Sequence, residues 1–297
     1  MSTDRVVHGI AANGEVRILA AESTHTVEEA RQRHGLWPTA TAALGRAMTG
    51  AALLAATLKG EEELTLQLVG DGPLGRVVVV ASATGAVRGY VEHPEVHLPL
   101  KADGHLDVGG AVGQGELLVI RDLGLKEPYV GRVPLVSGEI GEDLAYYLAH
   151  SEQIPSAVAL GVLVDVDGRA RAAGGLMIQL MPGHREETVA AVEQAVQRLP
   201  ALSRSIDGGR GPRQLAEEHL GALGIRWLAE RPLRFACTCS RERFERGLVA
   251  LGPEELQALL EEQGEAETVC RFCAAQYLFD REDLERLLRE ASGSAEA

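Results

Sequence analysis

All four cysteines of this chain lie in one short C-terminal stretch, and their spacing constrains the fold of that stretch more than any other sequence feature. One residue separates Cys237 from Cys239, two separate Cys270 from Cys273, and thirty lie between the pairs. Each close pair can present two sulfurs on one tight turn, and four thiolates are a ligand set that zinc takes in closed structural sites. The spacing therefore predicts one zinc ion, bound in the reduced form by Cys237, Cys239, Cys270 and Cys273.

The segment that carries these cysteines, residues 232–297, is predicted to be a small C-terminal zinc-binding domain. Pro253 begins one helix that Gly264 ends, and Asp280 caps a second. A domain of this size usually needs a cross-link, such as a bound metal or a disulfide, to be stable. Structural zinc contributes on the order of 10–16 kcal/mol of apparent folding free energy in small peptides, so metal loss is expected to unfold the segment.

Two interpretations of the cysteine cluster stay open at this point, a static zinc ribbon and a redox switch. Arg241, Arg243 and Arg271 lie near the cysteines in the sequence, and a helix is expected to start at Ser240. Nearby positive charge and a helix N-terminus both favour the oxidisable thiolate. A zinc module for nucleic acid is disfavoured, because residues 232–297 contain eight arginines, no lysine and fourteen acidic residues.

Residues 1–182 are predicted to form an α+β core domain, an antiparallel sheet with helices. The runs Arg5–Ile10 and Val16–Glu22 alternate around Asn13-Gly14, a strong hairpin signal. Pro38 opens a long alanine-rich helix that ends near Gly60. The remaining predictions are strands at Leu64–Val69, Val77–Ala81, Gly89–Val91, Leu117–Arg121, Tyr129–Pro134, Ser156–Val166 and Ala172–Leu180, and a helix at Glu142–His150.

Residues 183–231 are predicted to be a helical linker. The pattern is helical from His184 to about Glu230, interrupted at Gly208–Pro212. Four apolar residues fall on one face of the first helix and must be buried against another surface: Val189, Val192, Val196 and Leu199. If that surface depends on the zinc domain, oxidation would expose both.

Composition and motifs exclude several classes of function. The net charge of −14 argues against a broad nucleic-acid footprint. The first ten residues lack a signal-peptide pattern, and the apolar stretch Ala40–Leu58 carries Arg46, so a buried helix, no membrane association and a cytoplasmic location are expected. Gly70–Gly75 fits a dinucleotide pattern, but a β-branched run follows where a helix is required, which predicts a hairpin turn.

The chain is not predicted to be an enzyme, because no paired nucleophile and base can be identified. No residue is therefore assigned a catalytic role. Asp143, Tyr146, Tyr147 and Glu152 crowd one helix and its exit, where capping and packing are the preferred interpretation. A thiol oxidoreductase would need a thioredoxin-like βαβ context, which the sequence does not suggest.

Several segments of the chain carry a family resemblance. The segments at the cysteines are Phe235–Ser240, Cys270–Cys273 and Tyr277–Phe279. Those in the N-terminal part are Val112–Leu117, Tyr129–Gly131, Ser137–Asp143 with Tyr147, and Ser151–Ser156. Together they span nearly the whole chain and resemble the family of redox-regulated heat-shock holdases known as the thirty-three-kilodalton chaperonins. All four cysteines fall on the metal positions of that family.

The resemblance implies a molecular chaperone that acts without ATP and prevents aggregation of thermally or oxidatively unfolding client proteins. The reduced, zinc-bound form would be a poor chaperone. Oxidation would pair Cys237 with Cys239 and Cys270 with Cys273 in two disulfides and release zinc. The zinc domain would then unfold, the linker loosen, and the oxidised chain associate as a homodimer. The alternative is a constitutive zinc-stapled protein-interaction module without redox switching.

Overall fold

The computed structural model, which describes residues 4–294, pairs the first two strands about Asn13-Gly14. These strands, β1 (Arg5–Ala11) and β2 (Val16–Glu22), are antiparallel. Asn13 takes a φ of 55° in the turn between them, a left-handed conformation that asparagine tolerates better than most residues. The predicted hairpin is confirmed. Residues 1–3 and 295–297, the ends of the first and third predicted domains, lie outside the described residues.

The hairpin forms the centre of a five-stranded antiparallel sheet. Its other strands are β8 (Ser156–Val164), β9 (Ala170–Leu180) and β10 (Arg226–Pro232), and the strand order is β10-β1-β2-β9-β8. The prediction that the helical pattern continues to about Glu230 is wrong, because Arg226–Pro232 forms the strand β10. Arg5 lies opposite Pro232 in this pairing, so a partner strand from the far end of the sequence decides the local structure.

A second sheet has six strands in the order β11-β5-β4-β3-β6-β7. The strands are β3 (Glu63–Gly70), β4 (Arg76–Ser82), β5 (Ala86–Val91), β6 (Gly115–Asp122), β7 (Tyr129–Pro134) and β11 (Arg234–Phe235). All neighbours are antiparallel except β11 and β5. The predicted strands β3 to β7 are confirmed, whereas β11 was not predicted. The Gly70–Gly75 motif is the turn between β3 and β4, as predicted. The mixed α+β class is confirmed as well.

Four helices belong to the same part of the chain: α1 (Thr24–His34), α2 (Pro38–Ala55), α3 (Val108–Val112) and α4 (Gly141–His150). Every residue of α2 except Pro38 and Arg46 is buried, and α2 packs on strands of both sheets. Gly50 permits the close approach of α4 to α2, since a Cβ there would lie 2.4 Å from Leu144 Cδ1. The prediction of a buried helix is confirmed. Among residues 4–294, no helix is both long and apolar enough to cross a membrane.

Asp143, near the start of α4, is a capping residue. Its carboxylate accepts hydrogen bonds from the backbone N–H groups of Val136, Ser137, Gly138 and Ile140, at 2.7–3.3 Å. The side chain is fully buried, so these bonds satisfy a charge that would otherwise be costly to bury. The capping interpretation of this residue is confirmed.

Three further helices cover the face of the five-stranded sheet that points away from α2. They are α5 (Glu186–Gln197), α6 (Leu202–Asp207) and α7 (Pro212–Leu220). Three of the four residues of the predicted apolar stripe lie here: Val192 is buried with Val16 and Ile178, and Val196 and Leu199 pack against the same cluster. The fourth, Val189, is half-buried. The surface that buries the stripe is therefore this sheet, together with α7.

The chain divides into two compact units, Met1–Ala236 and Cys237–Ala297. The second unit contains α8 (Arg241–Val249), α9 (Pro253–Glu262), β12 (Ala266–Val269), β13 (Gln276–Phe279) and α10 (Arg281–Ser294). Its core is formed by Leu248, Leu256, Leu260, Ala266, Phe279, Leu284, Leu287 and Ala291. The apolar periodicity at Leu256–Leu260 and Leu284–Leu288 had indicated the two later helices, whereas the β12–β13 hairpin was not predicted.

Candidate metal centre

The four cysteines occupy two local structures within the second unit. Cys270 and Cys273 lie in the turn of the β12–β13 hairpin, where the Cys273 and Ala274 amides both donate to the Cys270 carbonyl, at 3.3 and 2.7 Å. Cys237 and Cys239 lie in the extended segment before α8. Ser240 caps that helix, as its sequence position predicts, and accepts a hydrogen bond from the Arg243 amide.

The structure brings all four sequence-predicted cysteines together. Their Sγ atoms all lie within 4.8 Å of one another; Cys237 and Cys270 are 3.8 Å apart, and Cys239 and Cys273 are 3.3 Å apart. Zinc–sulfur bonds of about 2.3 Å place the sulfurs of a regular tetrahedron about 3.8 Å apart. The donor set and its spacing therefore fit a single zinc ion.

The thiols do not share one electrostatic environment. Burial raises the pKa of Cys237 and of Cys273. Burial also acts on Cys239, but hydrogen bonds from the Tyr277 hydroxyl and the neighbouring thiols outweigh it and lower the pKa of Cys239. Cys239 is therefore the most readily ionised of these three thiols. This matters for the site because metal binding and oxidation both require thiolates.

Tyr277 on β13 is a residue of the site that the sequence analysis did not identify. Its hydroxyl donates to Cys239 Sγ at 3.2 Å, and this bond raises the pKa of Tyr277 to about 12. The phenol ring packs against Phe244, with ring centroids 4.8 Å apart. Tyr277 belongs to one of the segments that carry the family resemblance, which is the only signal in the sequence that could have drawn attention to it.

Arg241 does not play the part that its sequence position suggested. Its guanidinium pairs with Asp283, donates to the Leu278 carbonyl at 2.7 Å and lies 4.4 Å from the centre of the Phe279 ring. It therefore ties α8 to β13 and α10, and the hydrogen bond that favours the Cys239 thiolate comes from Tyr277.

We predict that Tyr277→Phe weakens metal binding while leaving the fold intact. The substitution keeps the ring against Phe244 and removes only the hydroxyl that donates to Cys239. Loss of an outer hydrogen bond to a metal ligand typically lowers metal affinity by about 10–100-fold. Competition with a chromogenic zinc chelator measures the affinity, and we expect a decrease of about tenfold.

Tyr129→Phe is the matched control for this prediction, because Tyr129 is exposed on β7 in the first unit. It should leave the affinity for zinc unchanged. An equal affinity for the Tyr277→Phe variant and the parent chain would show that the hydroxyl does not support the ligand.

Comparison with known proteins shows what the whole chain is similar to. The profile of the family described as Hsp33 protein matches residues 4–280. The "33 kDa chaperonin" of Desulforamulus reducens is 51% identical over 286 residues, which cover 96% of this chain and 97% of that protein. That of Bacillus subtilis is 48% identical over 285 residues, covering 96% and 98%.

A solved structure agrees with these matches. The crystal structure of the 33 kDa chaperonin (heat shock protein 33 homolog) from Thermotoga maritima has a TM-score of 0.92 and 41% identity, and the match covers 98% of this chain and 100% of that one. The names of these relatives support a chaperone function, and the family resemblance stated from the sequence is confirmed. With its profile match, its similarity to these relatives over nearly its full length and its shared fold, the chain belongs to the Hsp33 family.

Proposed function

We propose that this chain is a redox-regulated, ATP-independent chaperone that holds unfolding client proteins and is activated by oxidation of its four cysteines. The observation that carries the proposal is the convergence of four thiols, all within 4.8 Å, inside a unit of modest size. A cluster of this kind makes the stability of that unit depend on the oxidation state of sulfur. The proposal places the protein in the cytoplasm, where thiols are kept reduced until stress.

In the reduced state, Cys237, Cys239, Cys270 and Cys273 would hold one zinc ion. When bound, zinc would supply a cross-link between the β12–β13 turn and the segment that precedes α8. Tyr277 would orient the Cys239 thiolate, and the shared core around Phe279 and Leu284 packs β13 against α10. Both elements that carry the ligands then stay ordered.

Oxidation would convert the four thiolates into two disulfides, Cys237 with Cys239 and Cys270 with Cys273, and release zinc. For each disulfide, one peroxide molecule accepts two electrons from two thiolates and, with two protons, leaves as two water molecules. The folded cluster places every thiol within reach of every other, so its geometry alone does not select the pairs. The local pairs are favoured because they remain adjacent in sequence once the unit unfolds.

The proposed client surface is the sheet face beneath α5, α6 and α7. Residues 183–231, the linker of the sequence analysis, would loosen after the zinc unit unfolds and uncover Val16, Ile18 and Ile178. Exposed apolar surface can capture unfolding chains without nucleotide hydrolysis. The same surface would support a homodimer of the oxidised chain.

Parallel measurements of zinc release and of holding activity test the proposal. The reduced, zinc-loaded chain is treated with peroxide during warming; zinc release is followed with a chromogenic chelator, and client aggregation by light scattering. We expect one zinc per chain to be released, scattering to be suppressed only after oxidation, and dithiothreitol to reverse the suppression. Light scattering of the chaperone itself should report the change from monomer to dimer.

The other outcomes would favour a different function or contradict the proposed one. Suppression that does not depend on peroxide would indicate the constitutive zinc-stapled interaction module. Transfer of disulfides to a reduced substrate protein at catalytic rates would indicate a thiol oxidoreductase. Zinc release without suppression of aggregation would contradict the proposed holding activity.

A further inference from the structure

A small cavity in the first unit lies between the five-stranded sheet and the C-terminal end of α2. Its volume is about 50 Å³, and its lining includes Leu19, Met177, Gln179 and Thr57. Leu19, Met177 and Gln179 are almost fully buried, so the floor of the cavity is closed. A water molecule needs about 10–15 Å³ on the same measure, so the cavity has room for a group of a few heavy atoms.

Arg17 on β2 lines this cavity and has no carboxylate partner in the part of the chain that the structure describes. Within residues 4–294, its guanidinium donates to Gln179 Oε1 at 3.3 Å and makes no ion pair. Burial lowers the pKa of Arg17, which reflects the cost of removing its charge from water. Arg17 is half-buried, and a charge that is partly withdrawn from water is stabilised by a partner of opposite charge, so an anion in the cavity would stabilise Arg17.

Arg121 on β6 brings a second guanidinium to the same cavity. It pairs with Glu152 at 3.1 Å, but the same carboxylate oxygen also accepts a hydrogen bond from the Tyr147 hydroxyl. The Nε of Arg121 is buried and has no hydrogen-bond partner. The lining of the cavity therefore holds two guanidinium groups and one carboxylate, that of Glu152, and at least one N–H donor of the arginines is left without an acceptor.

We propose that this cavity binds a small tetrahedral oxyanion of the phosphate class, held by Arg17 and Arg121. Guanidinium groups match the oxygen spacing of phosphate and form charge-assisted hydrogen bonds to it. An anion between the two arginines neutralises the excess positive charge, which water alone does not. The buried Gln179 amide, which already bonds Arg17, fixes that side chain at the rim.

The site is independent of the redox proposal. Every residue that lines it belongs to the first unit, and none is a cysteine. Its occupancy would stabilise the first unit by tying β2 of one sheet to β6 of the other. Failure of the redox proposal would leave the anion site in place, and failure of the anion site would leave the metal centre unaffected.

Thermal unfolding of the full, reduced, zinc-loaded chain in inorganic phosphate tests the proposal, with chloride at equal ionic strength as the reference. With a Kd of about 1 mM, 10 mM phosphate should raise the Tm of the first unit by about 3–6 °C. Sulfate, which has the same shape, should act similarly. Arg17→Gln should abolish at least nine-tenths of the shift, as should Arg121→Gln.

Arg132→Gln is the matched control, because Arg132 is exposed on β7 outside the cavity. It should keep the full shift. Arg17→Gln removes the charge and shortens the side chain but keeps an N–H donor, and because Arg17 is only half-buried its Tm in chloride should lie within about 2 °C of the parent. Side-chain NMR signals of the arginine Nε–H groups provide a second readout, in which phosphate should move Arg17 and Arg121 selectively.

Two results would overturn the proposal. Equal stabilisation by phosphate and chloride would remove the specificity on which the assignment depends. Retention of the shift in Arg17→Gln, or its loss in Arg132→Gln, would show that phosphate acts on the general surface and does not bind in this cavity.

Discussion

Replacing Cys273 with serine is expected to unfold the second unit while the first unit stays folded. Cys273 is buried, 4% exposed, and lies 3.3 Å from Cys239, so a serine there leaves three thiolates around the metal position. Structural zinc contributes on the order of 10–16 kcal/mol to the folding of small domains. The eight buried residues of the second core are not expected to offset a loss of that size.

Hydrogen exchange measured segment by segment distinguishes the two units. In Cys273→Ser, the amides of α8, α9 and α10 should lose most of their protection, and those of β2 and β9 should keep theirs. Gln276→Ser is a suitable control, because Gln276 is exposed on β13 and contributes no thiol. Full protection of α8 to α10 in a chelator-treated parent chain would mean that the second unit folds without metal.

Val192→Asp is expected to make the reduced, zinc-loaded chain hold clients without any oxidation. Val192 is 5% exposed on the face of α5 that packs on the five-stranded sheet. Placing a carboxylate there buries an unpaired charge, which costs about 3 kcal/mol or more. Release of α5 from the sheet avoids that cost, so the change should uncover the proposed client surface while the four cysteines stay bound to zinc.

Gln194→Asp adds the same charge on the exposed side of the same helix, and should remain inactive when reduced. Suppression of light scattering by a heat-unfolded client measures holding, and exchange of the α5 amides measures its release. If α5 becomes unprotected in Val192→Asp but aggregation continues, the sheet beneath α5 is not the client surface, and the apolar surface of the zinc unit would be the one to test.

The fold could be predicted from the sequence wherever local patterns decided it. The Asn13-Gly14 turn and the buried α2 are examples, since their residue types favour one local structure. Two elements depend on distant partners and were not found. α1 begins where the Thr26 amide and hydroxyl both donate to the Asp4 carboxylate, each at 2.7 Å, and β10 is held by its pairing with β1.

The candidate metal centre, like the fold, could be predicted from the sequence only in part. The four cysteines were predicted because their ligand chemistry is contained in two short spacings. The hydrogen bond from Tyr277 to Cys239 was not, because it depends on how the β12–β13 hairpin meets the segment before α8. The proposed anion site could not be predicted from the sequence at all, because Arg17 and Arg121 belong to different sheets and only the tertiary packing places them at one cavity.

The pairing of β10 with β1 has a consequence for how the chain folds as it is synthesised. Arg5 lies opposite Pro232 and Ile10 opposite Arg226, so the outer edge of β1 stays open on the ribosome until the chain has grown past β10. Contacts between residues so distant in sequence form slowly, and an open edge strand favours aggregation in the meantime. The nascent first unit is therefore expected to need protection until β10 has emerged.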